Sequence, residues 1–150
     1  MMLKLCPLLI SAALAGSTLS ALAQAPAPGP TMLLLRSTVL APEEVVEAVK
    51  AYSEAKKWLY MGATKAKQGE VTMVKVCIPQ VGQILWPVGL ELSALLPCGN
   101  LGVYQKAGKT EVSMLHPAYM QLLYPHPAVD KAVALATPLM LDLLEKIVIK

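Results

Sequence analysis

The chain is short of recognisable chemistry. It has no phenylalanine, a single arginine, and only 5% aromatic residues among 150. No G-x-S-x-G nucleophile elbow, phosphate-cradling G-x-x-x-x-G-K, H-E-x-x-H or C-x-x-C-H haem site can be found in it. Hydrolase, nucleotide-binding and haem classes are therefore without support. Metal spacings of the C-x-x-C or H-x-x-x-H kind are missing as well. The only basic concentration is Lys56, Lys57, Lys65 and Lys67, which reads as a solvated helix end and loop. Tyr52, Trp58 and Tyr60 lie near it, but base stacking asks for aromatics alternating on strands or basic stripes, so nucleic acid is not an expected partner. No internal repeat is present. These absences point away from an enzyme and toward a binding or structural role.

What is present begins with a leader. Lys4 supplies a positive start, Leu8 to Leu22 is apolar with small residues, and Ala21-Leu22-Ala23 forms an A-x-A site. The expectation is a signal peptide over 1–23, cleaved after Ala23, and a periplasmic location. Ser11, Gly16, Ser17, Thr18 and Ser20 dilute the run, and no basic stop-transfer cluster follows, so no stable membrane span is expected after cleavage. Cys6 comes too early to be a lipid attachment site and leaves with the leader. Removal of 23 from 150 residues leaves 127, one ordinary domain, and loss of Lys4 takes the formal charge from +3 to +2. Residues 24–30, Gln-Ala-Pro-Ala-Pro-Gly-Pro, read as a proline-stiffened tether. The domain occupies 31–150.

Within it, Thr31 to Val39 reads as a strand. Ala41-Pro42-Glu43-Glu44 is a helix start, and Val45, Val46, Val49, Tyr52 and Ala55 continue that helix to about Lys56. Trp58 to Met61 is a short strand closed by Gly62, and Ala63 to Glu70 a loop or a short turn of helix. Val71 to Ile78 is a strand that Pro79 ends. Val81, Ile84, Leu85, Val88, Leu92 and Leu95 mark a helical stretch broken around Pro87 and Gly89. Cys98 to Lys106 and the strand from Lys109 form a hairpin about Ala107-Gly108. Ala118 to Tyr124 is a short helix and Pro127 to Ile147 a long one that Pro138 should bend or interrupt. Strands interleaved with helices predict an α+β fold.

The run Val74-Lys75-Val76-Cys77-Ile78-Pro79, then Leu95-Leu96-Pro97-Cys98, then Gly102-Val103-Tyr104-Gln105-Lys106 with Gly108-Lys109, resembles the domain of unknown function 302 family. The resemblance implies an antiparallel sheet covered by helices, similar to the TATA-binding-protein-like two-layer architecture, in proteins often found as dimers. A homodimer is the expected partner state. The chain departs from the family pattern at Gly99-Asn100-Leu101 and at His116, where Asn or Asp is more usual.

The two cysteines of the mature chain carry the functional question. Were the strands ending at Cys77 and beginning at Cys98 parallel, the cysteines would lie about 17–20 Å apart, too far for a bridge that needs Cα atoms within about 7 Å. If they are antiparallel, as the resemblance implies, Cys77, Cys98 and His116 meet at one rim, with Met114, Met120 and His126 within reach. Four readings of this rim stay open: a disulfide, two inert buried thiols, a soft-metal site for Cu(I) or zinc, and thiol chemistry such as sulfane-sulfur carriage or disulfide exchange. The expected function is an exported small-ligand or partner-binding module. The alternatives are a thiol- or metal-handling protein using Cys77, Cys98 and His116, and a structural dimer with a Cys77–Cys98 disulfide.

Overall fold

In a computed structural model, residues 32–96, 98 and 100–148 can be described. The expected leader and tether lie outside them. Five strands form one antiparallel sheet: β1 (Leu33–Thr38), β2 (Leu59–Ala66), β3 (Val71–Cys77), β4 (Asn100–Lys106) and β5 (Lys109–Leu115), in the order β1-β5-β4-β3-β2. The helices are α1 (Pro42–Ala55), α2 (Pro79–Leu85), α3 (Tyr119–Leu123) and α4 (Pro127–Val148). The architecture is α+β.

Period-two alternation sends Val74 and Val76 of β3, Leu101 and Val103 of β4, and Val112 and Met114 of β5 to one face, where they are buried. Helix α4 answers with Val129, Ala132, Val133, Ala136, Met140, Leu143, Leu144 and Ile147, a helical stripe that is wholly buried, and α1 with Val45 and Val49. Pro42 opens α1 at a position where a missing N–H costs nothing, and the Glu44 carboxylate accepts the Ala41 N–H at 2.9 Å. Of the buried hydroxyls, Ser53 donates to the Val49 carbonyl and Thr110 to that of Leu40, while that of Thr137 has no partner.

Three expectations need correction. Gly62 does not end a strand: β2 runs on to Ala66 through a bulge between Tyr60 and Gly62, where Gly62 takes a positive φ of 105°. The segment Ala63 to Glu70, expected as a loop or a short turn of helix, is thus strand to Ala66, with the short turn confined to Lys67–Gly69 as a 3-10 helix. Pro138 does not interrupt α4, which continues for 22 residues. The broken helical stretch resolves into α2 and a separate 3-10 segment, Leu90–Leu95, on either side of Pro87 and Gly89.

Candidate functional site

Strands β3 and β4 are antiparallel, with Lys75 opposite Asn100, so the end of one and the start of the other share a rim. Cys77 closes β3, Cys98 precedes β4, and the two are joined by a disulfide with Cα atoms 4.1 Å apart across 21 residues. A loop of that length stabilises by about 3 kcal/mol in the chain-entropy model. Neither cysteine is buried, which removes the reading of two inert core thiols. With both sulfurs in the bridge no thiolate is left to ligate, and among the described residues no group of three His, Cys, Asp or Glu is placed to hold a metal ion.

His116 follows β5 on the same rim, its N–H bonded to the Met32 carbonyl. Its ring, however, is turned to its own chain: Nδ1 accepts the N–H of Ala118 at 3.1 Å. His126 repeats the arrangement with Ala128, also at 3.1 Å, and stacks at a tilt near Tyr124. Both belong to a His-Pro-Ala sequence, and each accepts a backbone N–H at the entrance to a helix as a capping side chain does. Met114 and Met120 are buried in the core and offer their sulfurs to apolar neighbours.

What the rim does hold is an apolar cleft of about 120 Å³ beside the disulfide. Its walls are Leu59, Cys77, Ile78, Pro79, Gly82, Trp86 and Leu96. The Trp86 indole lies on Gly82 so closely that a Cβ there would meet the ring at 3.0 Å, yet 48% of Trp86 faces solvent. The segment carrying Leu96 is fastened from the other side, where the Tyr119 hydroxyl donates to the Leu95 carbonyl at 2.7 Å, and burial raises the pKa of that hydroxyl. The signal in the sequence was the Gly82–Trp86 pair, four residues apart and hence on one helix face.

A second feature that the sequence reading missed is the other face of the sheet. No helix covers it among the described residues. Leu33, Leu35, Met61, Met73 and Leu115 project from it and are between 42 and 55% exposed. The pairing of Leu35 with Ser113, Ser113 with Gly102, Gly102 with Met73 and Met73 with Thr64 makes one row across the five strands. Met61, Thr64, Met73 and Lys75 line a shallow depression of about 310 Å³ in it. At the opposite rim a larger hollow of about 340 Å³ includes Lys67, Glu70 and Tyr104, but Lys67 pairs with Glu70 and Tyr104 with Glu111, so its charges are already answered.

Among the described residues no helix is long and apolar enough to cross a membrane. Comparison with curated proteins finds no match. Among solved structures, the chain is similar to an uncharacterized conserved DUF302 protein from Bacillus stearothermophilus, with a TM-score of 0.69 and 16% identity, over 78% of this chain and 98% of that one. That likeness establishes the fold. The family model described as domain of unknown function DUF302 matches residues 36–147, three quarters of the chain, and the chain belongs to that family.

Proposed function

We propose that the mature chain is an exported binding module that works as a homodimer, joined through the open face of its sheet. The observation that carries this reading is the uncovered sheet face, with exposed leucines toward one edge and exposed methionines toward the other. Leu35, Met61, Met73 and Leu115 are large side chains left in water on a face with no covering helix among the described residues. Large apolar side chains gathered on one exposed face mark interaction surfaces. A second copy is the fitting occupant because an isologous contact needs one patch that complements itself. Here leucines sit toward one edge and methionines toward the other, so a two-fold axis lying along the strands sets each group over the other. Five strands at about 4.8 Å and seven residues at about 3.3 Å give a face of roughly 550 Å² before side-chain relief is counted, near the lower bound of what each partner contributes to a stable complex.

Export is supported by the leader and by the disulfide, which an oxidising compartment maintains. Sedimentation equilibrium of the chain beginning at Gln24 tests the assembly. The expected result is twice the monomer mass at micromolar concentration. A monomer throughout that range removes the dimer and leaves the face to a different partner.

A further inference from the structure

The cleft beside the disulfide lies at the end of the sheet, where Leu59 pairs with Cys77 at the margin of the open face, and it asks a separate question. A bridge that only staples the fold is best placed where nothing can reach it. Both cysteines of this one are only half-buried, and Cys77, not Cys98, forms part of the cleft wall. The remaining walls are aliphatic side chains, proline and an indole, with no charged group among them. Leu59, at the cleft's mouth, begins β2, which is an edge strand of the sheet. An extended segment can lie along such an edge while placing one side chain in the neighbouring pocket.

We propose that Cys77–Cys98 is a thiol–disulfide exchange site whose substrate is an extended apolar protein segment carrying a cysteine. The cleft receives an apolar residue next to that cysteine, against Trp86 and Leu96. This holds the incoming sulfur at Cys77. The substrate thiolate attacks Cys77 Sγ, a bond forms between those sulfurs, and the Cys77–Cys98 bond breaks. Its electron pair leaves on Cys98 Sγ, which takes a proton from water. When the substrate has a second thiol, its thiolate attacks the substrate sulfur of the mixed disulfide and releases Cys77. The substrate is then oxidised to a disulfide, and the domain is reduced by two electrons to the dithiol. Trp86 is a positioning residue in this scheme and touches no electron-bearing atom.

The test uses the oxidised mature protein and two short peptides with equal thiol pKa values. In one, cysteine is flanked by leucine and valine, in the other by serine and asparagine. Mass spectrometry follows the mixed disulfide and maps it by digestion. The expected result is an adduct on Cys77 in the native protein, formed about tenfold faster with the apolar peptide. Trp86→Ala, which removes one wall of the cleft, should lower the rate with the apolar peptide about tenfold, toward that of the polar peptide. Equal rates for the two peptides, an adduct on Cys98, or a bridge that reacts only after unfolding would each overturn the proposal. None of these outcomes bears on whether the open face pairs.

Discussion

At the scale of single residues, the histidines are where the sequence reading and the structure part. A histidine near two cysteines invites thoughts of ligation or proton transfer, and the antiparallel order does carry His116 to their rim. What decides its role is local: proline at the next position holds His116 extended, and Nδ1 then lies within reach of the N–H two residues on. Asparagine or aspartate accepts that N–H equally well. His116→Asn should therefore retain stability, whereas His116→Ala should cost about 1 kcal/mol, the typical value of a lost capping side chain. Urea midpoints of the two variants distinguish this from a functional histidine, for which both changes would leave stability alone.

At the scale of elements, the strongest polar link joins α1 to α4. The Tyr52 hydroxyl donates to the Asp142 carboxylate at 2.5 Å, Lys56 approaches that carboxylate at 3.6 Å, and the Lys56 ammonium lies 5.4 Å from the centre of the Tyr52 ring. The Tyr52 hydrogen bond, with Lys56 and Lys146, holds the Asp142 carboxyl below its usual value; burial first, then the hydrogen bond, raises the Tyr52 hydroxyl. A carboxyl lowered on folding adds stability above its unfolded pKa, and that contribution is lost as pH falls through the folded value. Asp142→Asn should therefore destabilise at pH 7, by an amount that shrinks as the pH is taken below the carboxylate range. Denaturant curves for both proteins at pH 7 and pH 3 check this, and a gap that is the same at both contradicts it.

Most elements were legible because their patterns are strong: the α4 stripe, the Ala107-Gly108 hairpin, and the alternation in β3. The continuation of β2 was not. An edge strand with one open face needs few buried side chains, and Ala63-Thr64-Lys65-Ala66 has the composition of a loop. The positive φ at Gly62 serves a bulge there, and sequence alone does not separate a bulge glycine from a turn glycine.

At the scale of the whole molecule, strand direction was the step that joined the two cysteines, and it came from the family resemblance, since the residues themselves allowed either order. The disulfide was one of several readings until the register put Lys75 beside Asn100. The open face was out of reach of sequence patterning altogether. Leu33, Leu35, Met73 and Leu115 look like core residues in one dimension, and only the placement of the described helices on the other side leaves them in water. Such a face defines the central claim, that a second copy covers it.

Methionine oxidation reads this face directly. Met61 and Met73 stand on the open face, while Met114, Met120 and Met140 are buried in the core and serve as internal references. Brief peroxide treatment of the mature protein across a dilution series, with each sulfoxide quantified by mass spectrometry, should find Met61 and Met73 protected at high concentration and oxidised freely once the dimer dissociates. Free oxidation of both at every concentration would contradict the account.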